Sequence, residues 1–168
     1  MVAPEHDLTA AAVWFKTPVR ADRILEAGST GGSSMEGLFE VRNITVSIYR
    51  SPGDVYAFVS NGENVPRWAT GLGTKIRHVG SEWLAEGPLG NVRVSFAPPN
   101  DFGVADHDVV LETGVTVHNP IRVVPNGPGS TVIFTLMRLP RVSEQQFNED
   151  AKTVKRDLTT LKALLEQP

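Results

Sequence analysis

The sequence contains no cysteine among its 168 residues. This absence excludes a disulfide framework, a thiolate nucleophile and a cysteine-based zinc site. The four histidines, at positions 6, 78, 107 and 118, lack the HxH and HExxH spacings of metal sites. The glycines of Gly71-Leu72-Gly73 also lack the pattern of a nucleotide-binding loop. We therefore expect neither a metal ion nor another cofactor.

The chain is also short of positive charge and of long apolar runs. Its formal net charge is -3, and its 16 lysines and arginines are scattered among acids, which argues against a nucleic-acid partner. No window approaches the roughly 18 consecutive apolar residues of a membrane span. The first residues do not follow the charged-then-apolar order of a signal peptide. These features predict a cytoplasmic protein without a membrane span.

The length favours one domain with a full hydrophobic core. Residues 1–34 differ from the rest and end in the small-residue run Gly28-Ser29-Thr30-Gly31-Gly32-Ser33-Ser34, which is typical of a flexible linker. We therefore divide the chain into a flexible or extension segment, 1–34, and a folded domain, 35–168.

Alternating apolar and polar residues predict about seven β-strands. The first is marked by Ile44, Val46 and Ile48, which alternate with polar residues. Turn-forming residues separate the strands, so neighbouring strands are expected to be antiparallel. The predicted strands cover residues 38–49, 75–79, 82–86, 91–96, 104–111, 115–124 and 130–138.

Helices are predicted on both sides of this series of strands. Ser51 and Pro52 are a suitable N-cap and first position for a short helix, and a second short helix fits residues 63–69. Ser143 and Gln146 have capping-box spacing ahead of a long C-terminal helix. That helix carries an apolar stripe: Phe147, Ala151, Val154, Leu158, Leu161 and Leu165. The stripe predicts an α+β fold in which a curved antiparallel sheet wraps the helix, with a gap for a small ligand.

The segment 55–68, Val-Tyr-Ala-Phe-Val-Ser-Asn-Gly-Glu-Asn-Val-Pro-Arg-Trp, resembles the first helices of the START-like polyketide cyclase/dehydrase superfamily. This superfamily, also called SRPBCC, includes Bet v 1-type proteins. The order of elements is similar, as are Asp106-His107-Asp108 and Asn119-Pro120-Ile121-Arg122-Val123. The chain looks like a bacterial branch. The resemblance implies a helix-grip fold with a ligand cavity, and it indicates architecture more firmly than activity.

Several large or polar side chains are candidates for contact with a ligand. Trp68 suits a pocket wall or a core anchor equally, whereas core packing is the more natural role of Trp83. Strand phase turns Phe96 and Phe134 inward, where they would line or fill a cavity. The candidate ligand-binding residues are Tyr56, Trp68, Trp83, Phe96, His107, Asn119 and Phe134.

Strand phase also places the polar candidates. His107 alternates in register with Ala105 and Val109, and Asn119 falls in the inward phase, whereas His118 points outward. His107 is then either a satisfied core histidine or a functional group, as a polar anchor or a general acid/base. Asp106 and Asp108 point away from it, so they cannot form a proton-shuttling pair with His107 along one regular strand.

Three functions fit these features. The first is binding of a small hydrophobic or aromatic molecule in a cavity between the sheet and the C-terminal helix. The second is a cyclase or dehydratase that uses His107 as its single credible catalytic residue. The third is a protein-interaction module with no ligand. We favour binding over catalysis, and a homodimer is one option for its assembly.

Overall fold

The computed structural model describes residues 38–69, 72, 75–87, 90–112, 114–139 and 142–167. The predicted extension 1–34 lies outside the described residues, so the division of the chain at residue 34 stays a prediction. No helix in the described part is both long and apolar enough to cross a membrane. The elements are β1 (Val41–Ile48), α1 (Pro52–Val59), a 3₁₀ turn (Gly62–Asn64), α2 (Val65–Trp68), β2 (Lys75–Val79), β3 (Glu82–Gly87), β4 (Gly90–Phe96), β5 (His107–Val110), β6 (Thr116–Asn119), β7 (Ile121–Asn126), β8 (Gly129–Met137) and α3 (Glu144–Leu165).

The strands are antiparallel and run in the orders β2-β3-β4-β5-β6 and β1-β8-β7. The two groups meet at Pro120, where the Pro120 carbonyl accepts a 3.0 Å hydrogen bond from the Thr135 amide. The Ala105 amide, just before β5, donates to the Ile121 carbonyl of β7 at 3.0 Å. The result is one curved antiparallel arrangement beside a long C-terminal helix, so the predicted α+β helix-grip fold is confirmed.

Two predicted strand boundaries are wrong. The single strand at 115–124 is divided at Pro120 into β6 and β7, because proline has no amide to continue a ladder and each half pairs with a different strand. The strand predicted from Val104 begins at His107. Val104 makes only an isolated bridge to Arg122, in the segment where the chain passes from one group of strands to the other.

The helix caps follow the sequence with one exception. The hydroxyl oxygens of Ser51 and Ser143 accept hydrogen bonds from the amides of Asp54 and Gln146, both at 3.1 Å. The reciprocal half of the expected capping box is absent from these described contacts, because the Gln146 side chain donates forward to Asp150 Oδ1 at 2.9 Å. Phe147, Val154, Leu158 and Leu161 of the predicted stripe are buried.

Helix α3 lies along the edge strand β1. Lys155 Nζ donates to the Thr45 carbonyl at 3.0 Å, and Lys162 Nζ donates to the Ser47 carbonyl at 2.8 Å. The Tyr49 amide, just beyond the strand, donates to Glu166 Oε1 at 2.7 Å. Side chains of α3 thus occupy backbone groups that an edge strand otherwise presents to other chains. This docking commits the helix to the β1-β8 side of the sheet.

Candidate functional site

The inner face of the sheet is covered unevenly. Beneath α3, the inward side chains Val46, Ile48, Val132 and Phe134 are buried. On the wing formed by β2 to β6, inward side chains at the centre are equally buried: Ala85, Val92, Val94 and Val109. Other inward apolar side chains of the wing are only partly buried: Ile76, Trp83, Phe96, Leu111 and Val117. Helix α3 packs against β1 and β8, and the wing is a largely buried apolar face with partly accessible side chains, a composition that also lines small-molecule sites.

A row of three side chains crosses this wing. In the antiparallel register Phe96 lies opposite His107, and His107 lies opposite Asn119. The Phe96 and His107 rings are 5.1 Å apart between centroids and inclined at 37°. His107 and Asn119 are only 3% and 4% exposed, so their inward placement agrees with the strand phase. Directly opposed side chains on one face interact, so the three form one continuous patch.

The environment of His107 determines its chemical form. Its Nδ1 lies 3.5 Å from the Ala105 carbonyl oxygen. Burial lowers the pKa of His107 to about 4, against opposing effects of that carbonyl and of Asp108. The imidazole is therefore neutral near pH 7, and a base whose conjugate acid is this strong is a weak proton acceptor. These properties suit a polar anchor better than a proton shuttle.

Asn119 supplies the second polar group of the row. Its Nδ2 lies 3.4 Å from the Val117 carbonyl oxygen on the same strand. This contact is long, so the amide keeps much of its hydrogen-bonding capacity. The row therefore combines one aromatic ring with two polar side chains inside an otherwise apolar wall.

The polar residues Asp106, just before β5, Asp108 on β5 and His118 on β6 lie on the outer face, as their phase predicts. His118 Nδ1 is 2.7 Å from Asp108 Oδ1, and the two residues are register partners. Asp106 Oδ1 accepts from the Ile121 amide at 2.8 Å and from Arg122 Nη1. Sequence reasoning missed both pairings, because they depend on strand register and no local pattern reports it.

The remaining predicted ligand contacts lie on four different elements: Tyr56 on α1, Trp68 on α2, Trp83 on β3 and Phe134 on β8. The Tyr56 hydroxyl accepts a 3.0 Å hydrogen bond from the backbone amide of Asn100. The centroids of the Trp83 and His78 rings are 4.6 Å apart. Phe134, on β8, is buried and lies opposite Ile121 of β7. The Trp68 side chain is buried, and its Nε1 has no hydrogen-bond partner among the residues that the structure describes. The structure therefore brings Phe96, His107 and Asn119 together and places the other four on α1, α2, β3 and β8.

Polar residues of α3 were not among the sequence candidates. Thr153 and Asp157 are buried beside the apolar stripe. Burial also raises the pKa of Asp150 to about 6, helped by the neighbouring charge of Glu149 and opposed by the Gln146 hydrogen bond. Their four-residue and seven-residue spacings place these side chains along one flank of α3. The spacing of these three residues could have indicated that they are buried. Polar residues beside an apolar stripe are equally typical of a solvent-exposed helix face, so the spacing alone does not identify them.

A separate hollow of about 500 Å³ lies at the C-terminal end of α3. It is lined by Tyr49, Arg50, Lys162, Glu166 and Gln167, and none of these belongs to the row on the wing. The described part of the chain holds no group of three or more side chains suited to a metal ion.

The architecture places the chain in a structural class: it has the START-like helix-grip fold, as the resemblance at 55–68 implied. No family model matches the sequence, and no curated protein matches it as a relative. Similar solved structures include the Aha1 dimer from Colwellia psychrerythraea, with 16% identity, a TM-score of 0.60 and coverage of 76% of this chain and 96% of that one. A START superfamily protein from Mycobacterium smegmatis has 18% identity and a TM-score of 0.53, over 76% of this chain and 97% of its own.

A third similar structure is DynU16, a protein of the dynemicin biosynthetic locus. It has 11% identity and a TM-score of 0.58, and the match covers 76% of this chain and 47% of DynU16. At these identities the likeness establishes the fold, while the function has to be argued from the site.

Proposed function

We propose that the protein binds a small hydrophobic or aromatic molecule between the β2-to-β6 wing and the C-terminal helix. The observation that carries this proposal is the composition of the inner face of the wing. Helix α3 is held to β1, and the wing combines two buried polar side chains, His107 and Asn119, with partly buried apolar side chains such as Phe96. An apolar wall with a few convergent polar groups is the usual composition of a ligand site.

The state of His107 supports recognition in preference to catalysis. Its pKa of about 4 leaves the imidazole unprotonated near neutral pH, so it cannot act there as an effective general acid. A cyclase or dehydratase would need an acid or base with a pKa nearer the working pH. In this proposal His107 orients the ligand, and Phe96 supplies contact area.

Native mass spectrometry of the full chain purified from its own host tests the proposal directly. We expect a co-purified small molecule that is released on denaturation. Phe96→Ala should reduce retention of that molecule by about tenfold or more, because it removes an aromatic contact. Phe102→Ala is the matched control, because Phe102 is 83% exposed in a loop outside the row. Equal loss in both variants would contradict a site on this wing.

Two further properties belong to the same proposal. We place the protein in the cytoplasm and allow for a homodimer, since the similar Aha1 from Colwellia was solved as a dimer. Light scattering of the purified full chain distinguishes a monomer from a dimer. Fractionation of the host cell tests the location.

A further inference from the structure

The two outer edges of the antiparallel arrangement, β1 and β2, differ in what is bonded to them. Along β1, side chains of α3 bond to the backbone of Thr45, of Ser47 and of the following Tyr49. Strand β2 pairs with β3 alone. Although α2 and the 3₁₀ turn lie close to β2, no hydrogen bond joins its backbone to another residue of the described part of the chain. Four of its five residues are exposed, and an exposed edge strand is a template for the addition of another strand.

The turn between β2 and β3 determines which backbone groups of β2 remain available. Val79 and Glu82 are register partners across a two-residue turn, in which Gly80 has a positive φ of 64°. Residues that flank such a turn exchange backbone hydrogen bonds, and hydrogen-bonded pairs then alternate along an antiparallel ladder. Every second residue of β2, counted back from Val79, therefore directs its amide and carbonyl to β3. The amides and carbonyls of Ile76 and His78 are directed outward, where a strand can be added.

Two cations lie beside these outward backbone groups. Lys75 and Arg77 are exposed and alternate with Ile76, whose side chain packs against the core, so both cations lie on the outer face. Lys75 faces Glu86 and Arg77 faces Leu84 across the ladder, but neither cation forms an ion pair with a described residue. In a strand added antiparallel to β2, the residues opposite these cations belong to non-hydrogen-bonded pairs, whose side chains approach most closely. Two carboxylates separated by one residue on that strand would meet both cations.

The same cations disfavour a second copy of this chain on this edge. Two copies of β2 paired antiparallel over their full length would place Arg77 opposite Arg77, and like charges directly opposed are destabilising. Charged side chains on an edge strand are a common protection against such self-pairing. An acidic strand replaces this repulsion with attraction, so charge distinguishes the two occupants.

We propose that β2 is a docking edge for an extended acidic segment of a partner protein. The segment adds as a strand beside β2 and sets two carboxylates, one residue apart from each other, against Lys75 and Arg77. The backbone groups of Ile76 and His78 supply affinity for any extended chain, and the two cations select the acidic one. This interaction goes beyond small-molecule binding, because it uses the edge of the wing and not its inner face.

Fluorescence anisotropy with labelled peptides and the full chain tests the proposal. The probe is a short threonine-rich peptide with two glutamates separated by one residue, and the comparison peptide has lysines in their place. We expect the glutamate peptide to bind about tenfold or more tightly than the lysine peptide, because two favourable cross-strand pairs replace two unfavourable ones. The double variant Lys75→Glu/Arg77→Glu should reverse this preference. The matched control, Lys152→Glu/Arg156→Glu, makes the same change in net charge at two exposed positions of α3 and should leave the preference unchanged.

A second measurement separates strand addition from the attraction of charges alone. Two versions of the glutamate peptide are methylated on alternate backbone amides. In an added strand only one of the two sets of amides donates to β2, so one version should lose binding and the other should keep it. His78→Pro should also abolish binding, because it removes an outward amide, whereas proline is tolerated on an edge strand at a position whose N–H faces solvent.

Three results would overturn the proposal. The first is equal binding of the glutamate and lysine peptides, or no binding of either. The second is equal binding of the two methylated versions, which would indicate attraction between charges without strand addition. The third is a dimer of the unmodified chain that His78→Pro abolishes, since this would assign the edge to a second copy. The peptide comparisons use the unmodified chain, so they decide the matter even if a variant does not fold.

Discussion

Gly62 lies against the face of the Trp83 indole. A Cβ added at Gly62 would fall 2.4 Å from Trp83 Cδ2 and 2.5 Å from Cε2, far inside van der Waals contact. The 3₁₀ turn between α1 and α2 can therefore approach β3 this closely only with hydrogen at that position. This contact packs the 3₁₀ turn, which joins the two short helices, against strand β3.

Gly62→Ala should consequently destabilise the protein by about 2 kcal/mol, because either the turn or the indole has to move. Urea denaturation measures the change in the free energy of unfolding. Gly53→Ala is the control. Gly53 lies in α1, and its added Cβ would meet only Ser51 Oγ at 4.0 Å, so no loss is expected there. Similar losses in both variants would contradict the packing argument.

His107 should make stability depend on pH in the acid range. Its pKa falls from 6.5 to about 4 on folding, so the unfolded chain takes up a proton at a higher pH than the folded chain does. The contribution of neutral His107 to the free energy of unfolding is fully present above pH 6.5. It is lost as the pH falls toward 4, by about 3 kcal/mol in all. The nearby charges in this balance are Asp108, which raises the pKa, and His118, which lowers it.

The comparison of the unmodified chain with His107→Gln isolates this effect, because all other titrating groups are retained. We expect the difference in unfolding free energy between the two proteins to shrink steadily from pH 7 to pH 4. A difference that stays constant over this range would show that His107 is not held neutral by burial.

Asp150 should show the opposite dependence. Its pKa is raised from 3.8 to about 6, so the ionised carboxylate opposes folding, and stability decreases as the pH rises from 3.8 through 6. Asp150→Asn should therefore stabilise the protein at pH 8 by about 1 kcal/mol, a value reduced for the solvent screening of a half-buried group. The gain should vanish near pH 3.

Thermal unfolding at both pH values provides the measurement, and Glu166→Gln provides the comparison. Glu166 lies at the other end of α3, and its carboxylate accepts from Lys162 Nζ and from the Tyr49 amide, so its neutralisation should produce a small loss at pH 8 in place of a gain. A destabilised Asp150→Asn variant at pH 8 would show that the Gln146 hydrogen bond outweighs the cost of burying the charge.

Asp106 should contribute more to stability than Asp108, although the two are equivalent in strand phase. The Asp106 side chain is 15% exposed and joins the Ile121 amide to the Arg122 guanidinium beside the break at Pro120. Asp106→Ala should cost about 2 kcal/mol, because it leaves a backbone donor and a cation without their acceptor. Asp108→Ala should cost under about 1 kcal/mol, since its pair with His118 is solvent-exposed. Chemical denaturation of the two variants decides between this order and its reverse.

The sequence by itself determined the features that depend on local periodicity and capping. The stripe from Phe147 to Leu161 and the Ser143 cap define α3, and strand phase places His107 and Asn119 inside and His118 outside. These signals need no knowledge of distant partners, because a side chain's face follows from its position in a helix or strand. The resemblance of segment 55–68 to the START-like superfamily added the overall helix-grip fold to these local predictions.

The tertiary structure decided which elements meet. It divided one predicted strand at Pro120, joined Arg122 to Asp106, set Gly62 on Trp83 and buried Thr153 and Asp157 on α3. Each of these depends on register or on contacts between residues far apart in the chain, for which no local pattern exists. The register of β4, β5 and β6 likewise placed Phe96, His107 and Asn119 side by side as the candidate site.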